Sequence, residues 1–197
     1  MLIRFSILHL YHLTHKNNLE SILAHGLLSH DTSYNKNLTN YTISNSDVVN
    51  IRATKTESIN KKKINEYAPL YINPRNPMLY VKKEIQNDII IICFERSLIY
   101  NKGSIFTDGN AVNFPTKFYN NLEDLNKINW QCLNSRFWID YPDGKRICCA
   151  EVLVYSNIPS SKIRKIICNN PITLEFIKTK LINYSYITSE INNKFYF

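Results

Sequence analysis

The sequence predicts an α+β fold, because its strand and helix patterns follow one another in a mixed order rather than in strict alternation. DIIIICFE (88–95) is a short, β-branched run bounded by polar residues, which is typical of a buried central strand. RICCAEVLVYS (146–156) predicts a second strand, and ITLEFIKTKLI (172–182) predicts a helix. With 197 residues, of which 44% are hydrophobic, the chain can bury a substantial core, and we interpret residues 1–197 as one domain.

The first predicted elements are a strand over residues 5–13 and a helix within HKNNLESILAHG (15–26). The helix has an apolar stripe of leucine and isoleucine at helical spacing. Thr14 or Asn17 is the expected cap at its beginning, and Gly26 is the expected end.

Two long polar segments separate the remaining elements. Residues 27–66 are predicted to be a loop that is interrupted by VVNIRA, and loops of this length in compact domains are usually functional. YAPLYIN (67–73) predicts a strand, and Pro77 marks the first turn of the helix that follows. Later come a second long segment (104–147) with a helix at FYNNLEDLNKI (118–128), and a strand-like stretch (184–197).

Composition limits the partner and the compartment. The net charge of +8 favours a polyanionic partner such as nucleic acid. The five cysteines form no C-x-x-C pair and lie mostly in apolar runs, so we expect buried, reduced thiols and a cytoplasmic location. The longest apolar run (89–94) is too short to span a bilayer, and the amino end reads as a strand rather than a signal peptide, so no membrane association is expected.

All five histidines fall between positions 9 and 30, which raises the question of a metal site. His9 and His12 are three apart, so on a strand they point to opposite faces, and no acidic residue or cysteine completes a ligand pattern. We therefore expect no metal. His12, near the predicted strand end, is a candidate for a hydrogen bond at the rim of a cleft, whereas His15, His25 and His30 read as helix surface or loop.

Three further features are candidate functional sites. Glu151 lies in the apolar run CCAEVLVY, where a carboxylate is costly unless it is paired or functional, although an exposed strand face remains open. Tyr71 and Tyr80 flank a Pro-x-x-Pro turn and could form walls for a flat ring or simply pack. Arg52 is either a solvated loop residue or a group that binds phosphate.

Several long segments, in the same order, resemble the DarT family of DNA ADP-ribosyltransferase toxins. They are YHLTHKNNLESILAHGLL, YAPLYINPRNPMLY, FTDGNAV, FYNNLEDLNKINW and AEVLVY, and the resemblance runs from about residue 9 to residue 170. The order His, Tyr, Glu is that of the wider ADP-ribosyltransferase superfamily. The resemblance implies an ADP-ribosyltransferase-like split β-sheet core with flanking helices and two long functional loops.

The resemblance also implies roles for individual residues. Glu151 would be catalytic together with Arg52. The residues that would contact NAD are His12, Leu13, Thr14, Ser21, Arg52, Tyr71 and Tyr80. A loop over residues 39–56 would cover NAD, and the substrate would meet a loop over residues 110–150. The sequence departs from the family pattern at Lys55, so either Arg52 or Lys55 could be the functional basic residue. It also departs at Ile72, where an aromatic residue is usual.

The activity implied is transfer of ADP-ribose from NAD, as co-substrate, to thymine in single-stranded DNA. The protein would be the toxin of a toxin–antitoxin or phage-defence system, a monomer when free, with a DarG-like macrodomain antitoxin as partner. Lysines and the aromatic residues of the second long segment would bind the DNA strand; for Trp130 we favour packing instead. These aromatic residues are Phe118, Tyr119, Trp130, Phe137 and Trp138. The alternatives are transfer to RNA or protein, and an inactive nucleic-acid-binding module.

Overall fold

The computed structural model describes residues 5, 7–38, 41–43 and 46–197. The strands in this part of the chain are β1 (His9–His15), β2 (Leu27–Leu28), β3 (Tyr67–Tyr71), β4 (Ile89–Glu95), β5 (Ile105–Thr107), β6 (Phe118–Tyr119), β7 (Glu151–Tyr155), β8 (Asn157–Ile158), β9 (Ile163–Cys168) and β10 (Thr188–Ile191). The α-helices there are α1 (Leu19–His25), α2 (His30–Asn35), α3 (Ser46–Thr54), α4 (Pro77–Val81), α5 (Trp130–Leu133), α6 (Gly144–Ile147) and α7 (Pro171–Lys180). The mixed α+β class is confirmed.

One large mixed sheet organises the molecule. Its strand order is β10-β9-β4-β1-β3-β7-β5-β6, and β2 pairs with β8 separately. β1 pairs with β4 along its whole length but meets β3 only at Tyr11 and Tyr71. β3 in turn pairs with β7 from Tyr67 to Tyr71. The two halves of the sheet are therefore joined at a single pair of residues, and a cleft opens beside it.

β4 is the buried centre of one half of the sheet, as its sequence predicts. Residues 89–94 are fully buried. Alternate side chains enter two different hydrophobic clusters, with Ile90 and Ile92 on one face and Ile89 and Ile91 on the other. Because burial of each such side chain contributes about 1.5–3 kcal/mol, β4 is a rigid support for the neighbouring β1.

The beginning of the first helix differs from the prediction, whereas its end agrees. Residues 16–18 form a 3₁₀ turn ahead of α1, and the His15 side chain accepts a hydrogen bond from the Asn17 backbone at 3.2 Å. Thr14 and Asn17 were thus the wrong capping residues. Gly26 ends the helix with a φ of 80°, a conformation that glycine adopts without strain.

The predicted loop of residues 27–66 contains more regular structure than its polarity indicates. β2, α2 and α3 lie within it, and α3 covers VVNIRA. No residue of α3 is buried, so this helix has no apolar stripe that a sequence pattern could reveal. Residues 39–40 and 44–45 of the loop expected to cover NAD (39–56) lie outside the described residues.

Other boundaries also shift. The first strand begins at His9 and not at residue 5, and residue 6 lies outside the described part of the chain. The strand predicted over 146–156 begins only at Glu151, because Gly144–Ile147 forms α6. Residues 118–128 contain β6 and a 3₁₀ helix in place of an α-helix, and the strand-like stretch 184–197 contains β10 and a short 3₁₀ helix. No helix within the described ranges is long and apolar enough to cross a membrane.

Candidate active site

Glu151 is the first residue of β7 and is only 2% exposed. Its backbone pairs with Tyr71 at the end of β3, next to the point where the sheet splits. The side chain lines a cavity of about 850 Å³. The exposed-strand alternative for Glu151 is therefore excluded, and its carboxylate is a buried acid at the wall of a cleft.

Arg52 compensates the charge of this carboxylate. Its Nη1 donates to both carboxylate oxygens, at 3.0 and 3.3 Å, and the Ala111 backbone N–H donates to Oε1 at 3.1 Å. Such charge-assisted bonds are stronger than neutral ones. Lys55 instead donates to the Asn113 carbonyl at 3.0 Å, so the structure brings Arg52, and not Lys55, to Glu151.

Thr107, at the end of β5, holds the Glu151 backbone in place. Its buried hydroxyl accepts the Glu151 N–H at 2.9 Å and donates to the Gly109 carbonyl at 2.7 Å. The hydroxyl thus joins the start of β7 to the loop that carries Ala111. Sequence reasoning missed Thr107, because a threonine in a short strand is an ordinary β-former.

The sequence predicts His12 near the end of the first strand, but in the structure it lies in the middle of β1. Its Nδ1 lies 3.2 Å from the Pro69 carbonyl, and since a carbonyl only accepts, Nδ1 carries the proton. Burial lowers the pKa of His12 to about 4, so the ring is neutral near pH 7. The remaining ring nitrogen, Nε2, is then a hydrogen-bond acceptor on a residue that lines the cleft.

Asn18 fixes the segment of residues 41–43 against the beginning of α1. Its Nδ2 donates to Thr14 Oγ1 at 2.8 Å and to the Tyr41 carbonyl at 2.9 Å, and its Oδ1 accepts the Tyr41 N–H at 2.8 Å. The rings of His15 and Tyr41 stack with centroids 5.0 Å apart. Asn18 was also missed, since one asparagine in an asparagine-rich chain gives no signal.

A smaller cavity of about 370 Å³ adjoins the larger one. Both volumes lie in the range of about 300–1,000 Å³ that is usual for small-molecule sites. The residues that line both cavities, and so connect them, are His12, Leu13, Ile43, Val49, Arg52 and Pro69. Thr14 and Ser21 line the smaller cavity alone, whereas Tyr71 and Glu151 line the larger one.

The two tyrosines of the Pro-x-x-Pro turn have different surroundings. Tyr71 lines the larger cavity, and burial raises its pKa well above the usual value, so its hydroxyl stays protonated. Tyr80 is 45% exposed and lines neither cavity. Its ring packs edge-on against Trp138 and Phe197, with centroids 5.6 and 5.1 Å away. The wall role predicted for Tyr80 therefore has no contact to support it.

Trp130 has the packing role that we favoured, since its ring stacks on Phe5 and its Nε1 donates to the Leu125 carbonyl at 2.7 Å. The cysteines are free and buried. In the part of the chain that the structure describes, no group of three or more His, Cys, Asp or Glu side chains could hold a metal ion.

The family model for ssDNA thymidine ADP-ribosyltransferase, DarT, matches residues 11–197. The chain belongs to the DarT family. The DarT of Thermus sp. 2.9 in complex with ADP-ribosylated ssDNA superimposes with a TM-score of 0.87 at 25% identity, covering 98% of this chain and 97% of that one. The same DarT in complex with NAD⁺ gives a TM-score of 0.80 at 25% identity, over 95% and 96% of the two chains.

A relative from Thermosipho africanus combines two activities in one DarT-family protein. It is a DNA ADP-ribosyl transferase–DNA ADP-ribosyl glycohydrolase fusion protein, 31% identical over 149 residues. The match covers 74% of this chain but only 38% of the fusion, so this chain corresponds to one part of that protein.

Proposed function

We propose that this protein is an NAD-dependent ADP-ribosyltransferase that modifies thymine in single-stranded DNA. The observation that carries the proposal is the Arg52–Glu151 ion pair, which lies in a cleft between the halves of a DarT-family sheet. A buried carboxylate and a permanently charged guanidinium at one cavity wall suit a reaction in which charge develops on both the sugar and the acceptor.

The cleft has unused hydrogen-bonding groups that fit NAD. Arg52 Nη2 is buried and has no hydrogen-bond partner among the described residues, which suits an anionic or carbonyl oxygen of a ligand. His12 offers a neutral acceptor nitrogen for a ribose hydroxyl. We propose that NAD contacts His12, Leu13, Thr14, Ser21, Arg52 and Tyr71. Tyr80 keeps its predicted role only if NAD binding moves it toward the cleft.

The first chemical step breaks the bond between nicotinamide and ribose, and positive charge develops on the sugar. Glu151 stabilises this charge and accepts a hydrogen bond from a ribose hydroxyl, in an orientation fixed by Thr107 and Ala111. One preorganised group of this kind contributes roughly 3–4 kcal/mol to transition-state stabilisation.

The second step forms a bond between a thymine nitrogen and the ribose carbon that nicotinamide left, while the nitrogen loses its proton. Glu151 is the base that receives this proton, and a positioned base contributes about 10²- to 10⁴-fold. Arg52 stays protonated and stabilises the deprotonated thymine. Single-stranded DNA is the substrate because pairing hides the Watson–Crick edge of the base.

The biological role that follows is that of a toxin. A DarG-like macrodomain antitoxin that removes ADP-ribose from DNA is the proposed partner. In support, the fusion protein of Thermosipho africanus joins a DNA ADP-ribosyl transferase to a DNA ADP-ribosyl glycohydrolase. We propose that the protein is monomeric when free and acts in the cytoplasm. Buried thiols at Cys93, Cys132, Cys148, Cys149 and Cys168 support a reducing compartment.

The acceptor is tested by incubating the protein and labelled NAD with single-stranded DNA, RNA and protein, each in a separate reaction. We expect label in DNA alone, and no label when Glu151→Gln replaces the wild type. Label in RNA or protein but not in DNA would replace our substrate by the alternative one. DNA binding without transfer to any pool would indicate an inactive binding module.

A further inference from the structure

Phe114 is the most exposed large apolar side chain among the described residues. Its side chain is 99% exposed, whereas the next, Ile139, is 81% exposed. Single exposed apolar residues are common on proteins, so exposure alone carries no argument. Two further observations distinguish Phe114: the loop that holds it is braced on both sides, and the same loop reaches Glu151.

The bracing surrounds the loop of residues 108–117, which we name the Phe114 loop. Arg146 Nη1 donates to Asp108 at 2.9 Å and to Thr116 at 3.2 Å, and so joins the two ends of the loop. Bonds within the loop close it around its tip: Asn113 N–H to Asn110 O at 3.1 Å, Thr116 Oγ1 to Asn110 O at 2.7 Å, and Lys117 N–H to Asp108 Oδ1 at 3.0 Å. The backbone thus holds Phe114 in solvent on an ordered support.

The Phe114 loop lies at the mouth of the larger cavity. Ala111 donates its N–H to Glu151 at 3.1 Å, and Asn113 lines the same cavity as Glu151. Three residues of chain span at most about 11 Å, so Phe114 lies within that distance of Ala111. A nucleotide next to an acceptor base in this cavity is therefore within reach of the Phe114 ring.

Cationic side chains border the same mouth. Lys145 is exposed and Lys82 is half-buried; both line the larger cavity, and Lys55 is tied to the Phe114 loop through Asn113. Such charges attract the phosphates of a nucleic-acid strand. An exposed aromatic ring beside them is the combination that binds single strands by base stacking.

We propose that Phe114 stacks on the nucleobase that flanks the acceptor base and thereby holds the acceptor in front of Glu151. This inference rests on the proposed function. Stacking uses the π-face that every base has, so Phe114 sets the affinity for the strand more than the identity of the flanking base. It makes no contact with NAD.

The test uses Phe114→Ala and Phe114→Leu, with Tyr186→Ala as the matched control. Tyr186 is 47% exposed and lies just before β10, at the opposite edge of the sheet from β5 and β6, roughly 30 Å away by strand spacing. The substrates are single-stranded oligonucleotides with one thymine, either intact or with an abasic site on one side of it. We measure kcat and KM for the oligonucleotide, and KM for NAD.

Both Phe114 variants are expected to raise the KM for the intact oligonucleotide by about tenfold, with an unchanged KM for NAD and an unchanged thermal midpoint. An abasic site at the stacked position should raise the KM of the wild type by the same factor. It should raise the KM of Phe114→Ala little further, because the abasic site and the mutation remove the same interaction. An unchanged KM for the oligonucleotide in Phe114→Ala would overturn this inference but not the proposed function, and so would an equal rise of that KM in Tyr186→Ala. The same holds if the effects of the abasic site and of Phe114→Ala on KM multiply when the two changes are combined. If the wild type transfers nothing to DNA, the proposed function fails with it.

Discussion

Replacing Thr107 by valine tests how the carboxylate of Glu151, the proposed catalytic group, is positioned. Valine keeps the shape of threonine but lacks the hydroxyl, which accepts the Glu151 N–H at 2.9 Å and donates to the Gly109 carbonyl at 2.7 Å. Both partners are in buried residues. Each buried polar group left without a partner costs about 1–3 kcal/mol, so with two such groups we expect Thr107→Val to lower the free energy of unfolding by about 2–6 kcal/mol.

The matched control is Thr107→Ser, which keeps the hydroxyl and loses one methyl group, at a cost of about 1 kcal/mol. Urea unfolding of the wild type and both variants measures the difference in the free energy of unfolding. Equal slopes of this free energy against urea concentration would show that the substitutions change stability and not the compactness of the folded or unfolded state. The valine variant should also lose kcat for DNA modification, which serine restores. A valine variant within about 0.5 kcal/mol of the wild type, and fully active, would refute the positioning role, since ordinary neutral substitutions fall in that range.

Three further changes follow from the same geometry. Burial holds the pKa of His12 at about 4, below its ordinary 6.5, so between these values the unfolded chain binds a proton that the folded chain does not. The contribution of His12 to the free energy of unfolding is therefore present above pH 6.5 and is lost as the pH falls toward 4. In urea titrations across this range, His12→Gln should remove this dependence of the free energy on pH. Arg52→Lys loses Nη2, the second terminal nitrogen that is left for a ligand while Nη1 binds Glu151, and should lower kcat about 10²-fold, whereas Lys55→Met should change kcat only a few-fold; equal losses would contradict the assignment to Arg52. Gly144→Ala would make its Cβ overlap the Trp138 carbonyl and should cost about 1–3 kcal/mol in thermal unfolding, and an unchanged midpoint would refute this overlap.

The parts of the fold that were predictable from sequence are those with a local physical signature. Residues 89–94 of β4 form an apolar run rich in β-branched residues and are fully buried, as such a run predicts. Gly26 ends a helix because it adopts a positive φ. Glu151 stood out because a carboxylate in an apolar strand needs a partner, and the structure provides one in Arg52.

The parts that were not predictable depend on contacts between distant segments. α3 has no buried face, so its polar sequence resembled a loop. Thr107 and Asn18 act through a few hydrogen bonds, most of them to the backbone of residues far along the chain, and no spacing in the sequence indicates such contacts. Tyr80 matched a motif, yet its neighbours Trp138 and Phe197 come from other parts of the chain and hold it outside the cleft.

The measurement that tests the central claim most directly is the intact mass of a single-stranded oligonucleotide with one thymine, after incubation with the protein and NAD. We predict that the wild type adds the mass of one ADP-ribose. Glu151→Gln, which keeps the size of the side chain but removes its charge, should add none, and an oligonucleotide with cytosine in place of the thymine should stay unmodified. An unmodified oligonucleotide with the wild type, or equal modification by Glu151→Gln, would contradict the account.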